Sequence, residues 1–506
     1  MRELPLGPKS PAITSHQPGY NLELVQVKLR RLAIPALAVA TLSLGAVAGL
    51  LATVLPLEYA LVALASLVVF AIAFTRAEFV VLLMLVVTSS VIDPASLPTI
   101  NLGFNFTPLE LCLVFLLGLA VARALSNREN GWVQTPMDLP VFLFFVASTL
   151  SFFNAIFNLG TDRGLLVRLW RTLFDYLIFF AVTNHIRTRR QLTTLTNGML
   201  VMTTIVAALM LLQGIMGPSV KLIPSIRVGT AGALGQEFAG VARVLPPGTP
   251  LVFIMLFPAL ILYATPEGRR ARKWLLLIPL LVLPVAIAFT FNRTWWIGAL
   301  VALMIMLLFF KANGQRKYLL ITLCAIFLVL LSSTWFLKAY VPRTENLIEA
   351  LSFRAGSLFT GDRIREDQER RLCEVESAVL SIKNHPLLGV GPGGVIHTNM
   401  CQNYKGWNYT RYVHNVYLFI LADLGILGFL PFLWFSIKYL LRGFSAGQTL
   451  KDPTLRGWTL GLSLGYVTTL VASLAGPEFM SWHTVPIMGV MLGINEVAIR
   501  LGEKST

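Results

Sequence analysis

Residues 274–311 read WLLLIPLLVLPVAIAFTFNRTWWIGALVALMIMLLFFK. Two apolar runs, 274–291 and 294–311, flank one interruption at Phe291-Asn292-Arg293-Thr294. Each run is close to the ~20 residues that cross a hydrocarbon core as a helix. A helix satisfies every backbone N–H and C=O inside its own segment, which lipid demands. Barrel strands would be about ten residues with dyad alternation, and neither run has that pattern. The arginine between them is the kind of charge that a bilayer tolerates only at a surface.

Such runs recur along the chain. They are read near 33–56, 58–75, 79–97, 106–125, 139–158, 169–184, 192–216, 249–265, 274–291, 294–311, 318–340, 414–440, 457–476 and 484–500. The first two can form one tight hairpin, so about twelve to fourteen transmembrane helices are expected. Of the 506 residues, 56% are hydrophobic and 13% charged. A soluble domain carries about 25% charged residues, so a water-facing globule is excluded. The expected fold is all-α: a polytopic integral membrane helical bundle with one large helical loop on the outer, extracytoplasmic side.

The net charge of +16 reads as loop anchoring, and no nucleic-acid partner is expected, because Lys and Arg gather in cytoplasmic loops. Lys28, Arg30 and Arg31 precede the first span and put the N-terminus inside. Alternation then brings Arg76, Arg123, Arg187, Arg269, Lys317, Arg442 and Arg500, with their basic neighbours, to the same side. Of 41 basic residues, 24 fall inside. The division is then a cytoplasmic tail 1–31, a membrane domain 32–340 with about eleven spans, an outer loop 341–413, terminal spans 414–500 and a tail 501–506. Residues 1–31 are polar and contain proline, and the first apolar run exceeds a signal-peptide core. A retained tail is therefore expected.

Arginines on the outer side oppose that orienting signal. Arg163, Arg168 and Arg171 precede or enter the sixth span. Lys221, Arg227 and Arg243 follow the seventh, and Arg293 caps the outer end of the ninth. Snorkelling and headgroup contact are the plain explanations for any one of them. The set as a whole points to an anionic ligand.

The outer loop carries nine basic and eight acidic residues. Within it, 362–383 reads as an amphipathic helix, capped by Asp362. Its apolar side is Ile364, Leu372, Val375, Val379 and Ile382, suited to lying on the membrane or the spans below. The helix stops before Pro386. The following Gly389-Val390-Gly391-Pro392-Gly393-Gly394 is a turn whose backbone could approach a phosphate, or simply a loop. Cys373 and Cys401 share this loop, and sequence leaves open whether they pair, since it gives no distance. Asp367 and Glu369 are the one outer acidic pair of metal–diphosphate type. They stand among arginines without His/Cys ligand spacing, so neither metal nor cofactor is expected.

Among six histidines, His414 is distinctive. It opens the twelfth span, in Tyr412-Val413-His414-Asn415-Val416-Tyr417, at the water–lipid boundary. Imidazole there can take a proton from a hydroxyl group, or serve only as an interfacial hydrogen-bonding group. His385, beside Pro386, is read as structural.

One ordered set of elements is familiar. It comprises Arg371, Ala378 to Ile382, His385-Pro386-Leu387-Leu388-Gly389-Val390-Gly391, then His414-Asn415-Val416-Tyr417-Leu418 and Asp423-Leu424-Gly425-Ile426-Leu427-Gly428. This string resembles the O-antigen ligase and polymerase superfamily of bacterial surface-polysaccharide enzymes. Phe291-Asn292-Arg293-Thr294-Trp295 looks like the family's Ser-Arg-Gly at an outer helix end. Arg243-Val244 is similar to its other outer arginine, and Arg227-Val228-Gly229-Thr230 competes for that role. Val375 stands where many members have Trp.

The resemblance implies a GT-C-like, metal-independent, inverting glycosyltransferase in the bacterial inner membrane, working on the periplasmic face. Its donor would be a polyprenyl-diphosphate-linked glycan, and its acceptor a lipid A-core or lipid-linked glycan, with membrane lipids around the spans. His414 would be the catalytic base. Arg293, Arg243, Arg371 and Arg227 would bind the diphosphate, and His385, Gly389, Gly391 and Asn415 would form the acceptor-side loop. Ligase and polymerase motifs coincide, and ligase-like transfer is the preferred reading. A transporter or flippase for the same lipid-linked glycan needs polar residues deep in several spans, whereas most spans here are cleanly apolar. A non-catalytic scaffold would leave the outer arginines without purpose.

Overall fold

The computed structural model describes residues 75–92, 100–101, 105–126, 131–161, 163–217, 220, 222, 227–230, 241–309, 313–340, 347–356, 365–396 and 411–503. The expected tail 1–31, the span 33–56, the span 58–75 up to residue 74, Lys221, Asp362, Ile364 and Cys401 lie outside the described residues, as do the side chains of Arg227, Asp367 and Glu369.

The helices are α1 (Ala77–Ser89), α2 (Pro108–Ser126), α3 (Asp138–Phe157), α4 (Arg163–Phe174), α5 (Ile178–His185) and α6 (Arg189–Met216). They continue with α7 (Thr249–Ala264), α8 (Pro266–Ala288), α9 (Arg293–Phe309), α10 (Asn313–Tyr340), α11 (Leu347–Gly356) and α12 (Arg365–Asn384). The last three are α13 (Val416–Thr449), α14 (Pro453–Ala472) and α15 (Val485–Glu503). Two short antiparallel hairpins interrupt them: β1 (Ile100–Asn101) with β2 (Asn105–Phe106), and β3 (Arg227–Thr230) with β4 (Ala242–Leu245). The protein is an all-α polytopic membrane protein. Helices α3, α6, α13 and α15 are long and apolar enough to cross a bilayer, and α1, α7, α9 and the 319–333 part of α10 are shorter apolar helices.

The ends of these helices are chemically marked. At α6, the Thr188 hydroxyl accepts from the Gln191 N–H and the Gln191 side chain accepts from the Thr188 N–H, a reciprocal capping box. Asp452 caps α14 by accepting from Thr454 and Leu455 and also pairs with Arg189. Several basic residues of the expected cytoplasmic clusters bond helix ends. Arg500 donates to the Thr183 and Ile186 carbonyls at the end of α5, where a cation suits the helix dipole. Arg442 of α13 grips Glu496 of α15 through two hydrogen bonds of 2.6 and 2.8 Å.

Helix α14 packs against α7 and α9 through small residues. A Cβ on Gly461 would lie 2.5 Å from the Pro258 Cα of α7, and one on Gly298 of α9 would lie 2.5 Å from the Thr468 carbonyl of α14. Without a hydrophobic drive between helices in lipid, such close backbone approach is what joins them. Helix α15 is buried along most of its length, so the bundle wraps around it.

Two expectations differ from the structure. The run 169–184 is not one continuous helix. Amphipathic α4 ends at Phe174, a 3-10 turn spans Asp175–Leu177, and α5 follows. Arg171 pairs bidentately with Glu110 at the start of α2, so the charged half of this run is anchored sideways while its apolar half enters the core. The second difference is the buried face of the outer helix α12. Leu372 is 58% exposed and Val379 38%, whereas Cys373, Glu374, Ser377, Ala378 and Ser381 are buried. The small face allows close approach to α13, and its one acid finds a partner there.

Candidate functional site

The site begins at the N-terminus of α13. The Asn415 side chain caps that helix, accepting from the Tyr417 and Leu418 N–H groups at 3.0 and 3.1 Å. The cap fixes His414 one residue outside the helix. Glu374, buried on α12, meets it there. His414 Nδ1 lies 2.8 Å from Glu374 Oε2 and 3.0 Å from Oε1, and the His414 backbone N–H donates to Oε2 at 3.0 Å. An ionised carboxylate accepts only, so opposite it the neutral form of the ring has its proton on Nδ1 and its lone pair on Nε2. The Tyr412 ring stands edge-on to the imidazole at 4.8 Å between centroids. Arg371 lies one turn before Glu374 on α12 and is half-buried.

A second element is the turn between α8 and α9. Phe291 adopts φ 46°, the one non-glycine residue with positive φ among the described residues. That conformation costs about 1–3 kcal/mol for such a residue. Burial of its ring with Val241, Phe289 and Leu347 opposes the cost. The turn ends at Arg293, the first residue of α9. Strand β4 runs alongside it: the Val244 N–H donates to the Phe289 carbonyl at 3.0 Å, and Arg243 Nε donates to the Thr290 carbonyl at 3.2 Å. Arg243 and Arg293 therefore flank one short turn. Across the hairpin Gly229 pairs with Arg243 and Arg227 with Leu245, so Arg227 is two positions away along the partner strand.

The segment between α14 and α15 contacts both the start of α13 and the start of α9. Asn415 forms a parallel bridge with Gly476, and the Val416 N–H donates to the Ser473 carbonyl at 3.0 Å. Two residues beyond Gly476, Glu478 accepts from Trp295 Nε1 and from Thr484 Oγ1, each at 3.1 Å. Trp295 is two residues from Arg293. Burial pushes the Glu478 carboxyl above its ordinary range, opposed by those two hydrogen bonds. Arg163 and Arg168 are exposed on α4, while Arg171 is paired with Glu110.

The glycine turn has another engagement. Helix α13 breaks at Gly425, φ 64° and ψ −169°, and the turn docks into the break. The Val390 N–H donates to the Ala422 carbonyl and the Gly391 N–H to the Asp423 carbonyl, both at 2.9 Å. The Gly393 N–H donates to the Asp423 carboxylate at 3.0 Å. Gly389, also left-handed at φ 65°, donates to the His385 carbonyl at 3.1 Å. The donors of this turn are thus directed at the chain itself, and a Cβ on Gly389 would collide with the Asp423 backbone.

Sequence reasoning missed Glu374 and Glu478. Glu374 is one of eight acids in its loop, and its spacing of three from Arg371 is the signal that could have singled it out. Glu478 is the lone acid between two apolar spans, directly after Gly476-Pro477. Among the described residues no three His, Cys, Asp or Glu side chains gather as a metal site.

Residues 276–433 match the O-antigen ligase family. No curated protein matches the chain. The matched segment runs from α8 to the middle of α13. It contains Arg293, Arg371, Glu374, the His385–Gly391 turn and His414, while Arg227, Arg243 and Glu478 lie outside it. The match supports an O-antigen ligase or polymerase type of glycosyltransferase, acting on lipid-linked glycans.

Proposed function

We propose that this chain transfers a glycan from a polyprenyl diphosphate to an acceptor sugar hydroxyl at the periplasmic face of the inner membrane, in the manner of an O-antigen ligase. The observation that carries the reading is the Glu374 carboxylate 2.8 Å from His414 Nδ1. It holds the tautomer whose Nε2 can act as a base. The acceptor O–H gives its proton to Nε2, and the acceptor oxygen forms a bond to the anomeric carbon of the donor glycan. The bond from that carbon to the diphosphate oxygen breaks, and polyprenyl diphosphate departs with one more negative charge. One displacement inverts the anomeric configuration. Glu374 then faces an imidazolium, and the ion pair stabilises it.

Arg293, Arg243, Arg371 and Arg227 receive the growing charge of the leaving diphosphate. Guanidinium forks match phosphate oxygens, and preorganised charge in a water-poor site stabilises the transition state. No step requires a metal. An apolar cavity of about 350 Å³ beside α9 suits the first units of the isoprenoid tail. It is lined by Ile287 of α8, Trp296 and Leu303 of α9, and Leu323 and Leu330 of α10.

The test is purified full-length protein given undecaprenyl-diphosphate-linked oligosaccharide and a lipid A-core acceptor. Glycosylated acceptor and free undecaprenyl diphosphate are the expected products. Failure to form either, with the donor bound, would overturn the reading.

A further inference from the structure

Glu478 belongs to no part of the mechanism above, yet its contacts reach both of that mechanism's halves. Its carboxylate receives the Trp295 indole N–H and the Thr484 hydroxyl, each at 3.1 Å. Trp295 is 2% exposed and its ring packs on Phe253 with centroids 5.1 Å apart, so the indole is not free to follow a moving acceptor. On the other side, Gly476 pairs with Asn415, the residue after His414. A Cβ on Gly476 would lie 2.9 Å from Glu478 Oε1, so the carboxylate rests directly against the bridging glycine. The next residue is also fixed: Phe479 is fully buried, and its carbonyl accepts from the Tyr176 hydroxyl at 3.0 Å. The segment is therefore a rigid strut with one end on the helix of Arg293 and the other on the cap of His414.

We propose that Glu478 is a positioning residue for glycan transfer, setting the first turn of α9, and with it Arg293, at a fixed separation from His414. The inference rests on the function proposed above. Transfer requires the diphosphate and the base to be held on opposite sides of one anomeric carbon. A misplacement of about 1 Å in such an arrangement costs about 10²-fold in rate. Removing the strut leaves every reacting group present but loosely spaced. The loss then falls on kcat more than on KM for the donor.

The experiment compares Glu478→Ala, Glu478→Gln, Trp295→Phe and the Glu478→Ala/Trp295→Phe double variant as full-length proteins. The substrates are undecaprenyl-diphosphate-linked oligosaccharide and a lipid A-core acceptor. Glu478→Ala and Trp295→Phe are each expected to lower kcat by about ten- to a hundredfold, with donor KM within a few-fold. Glu478→Gln keeps a carbonyl acceptor for the indole and retains more activity than Glu478→Ala. The double variant is no worse than either single, because both remove one contact. A merely structural role would lower the melting midpoint of the detergent-solubilised protein while leaving kcat per folded molecule intact, and that result overturns the proposal. So does a double variant whose losses multiply. If Glu478→Ala fails to fold, Trp295→Phe decides alone, since it keeps an aromatic ring against Phe253. His414→Ala and Arg293→Ala are run beside these. Normal transfer in both sinks the proposed function and this inference with it. Loss in both with normal kcat in Glu478→Ala and Trp295→Phe sinks only this inference.

Discussion

Glu374 Oε2 accepts two hydrogen bonds from His414, one from ring Nδ1 at 2.8 Å and one from the backbone N–H at 3.0 Å. One carboxylate thus fixes both the tautomer and the position of a residue 40 places away in sequence. Glu374→Gln keeps an acceptor oxygen but removes the charge that faces the imidazolium. Hydrogen bonds to charged groups contribute about 1.5–3 kcal/mol. The expected loss in kcat is therefore about ten- to a hundredfold, smaller than that of His414→Ala. Single-turnover transfer by purified variants checks this, and an unchanged Glu374→Gln would remove the carboxylate from catalysis.

Arg293 stands at the end of a strained turn that Arg243 braces from β4 through the Thr290 carbonyl. Arg293→Ala is expected to lower transfer by roughly two orders of magnitude, the scale of one lost oxyanion-type donor. Arg293→Lys does not fully rescue it, because a point charge lacks the fork. Arg243→Ala and Arg371→Ala follow the same direction. Measured donor turnover, with membrane insertion verified for each variant, is the check; normal turnover in Arg293→Ala refutes the diphosphate role.

The orientation of the bundle is testable by labelling. With Cys112 and Cys324 replaced by Ser, a cysteine at Trp482, an exposed position before α15, is expected to react with an impermeant maleimide in intact cells. Cysteines at Arg270 and Lys317 are expected to stay unlabelled until the membrane is permeabilised. Labelling of the latter pair from outside inverts the topology.

Ligase and polymerase readings use the same residues and differ in product. Purified protein is expected to yield one glycosylated acceptor band with a lipid A-core acceptor, in the presence or absence of EDTA. Ladders of growing glycan on undecaprenyl lipid would replace the ligase reading by a polymerase. Loss of transfer with EDTA would bring Asp367 and Glu369 back as metal ligands.

Much of the bundle was legible because lipid enforces length and apolarity one segment at a time. The expected span 139–158 is α3, Asp138–Phe157, and 192–216 lies within α6, Arg189–Met216. The break at Asp175 was not legible, because it follows from Arg171 finding Glu110 in a different helix. The reversed face of α12 has the same origin. Periodicity chose Leu372 and Val379 as the inner face, while partnering with His414 turned Glu374 inward. Within the site, His414, Asn415 and the outer arginines stood out by type and position. Glu374 and Glu478 did not, because their roles depend on partners 40 and 183 residues distant.

If His414 removes the acceptor proton, transfer by the purified His414→Ala, His414→Gln and His414→Asn variants, with donor binding measured alongside, tests it most directly. All three are expected to bind undecaprenyl-diphosphate-linked oligosaccharide normally, and His414→Ala to lose about 10²–10⁴-fold in rate, with neither amide restoring it. Near-normal turnover in His414→Gln or His414→Asn would contradict it, because those side chains can bond Glu374 but cannot act as the base.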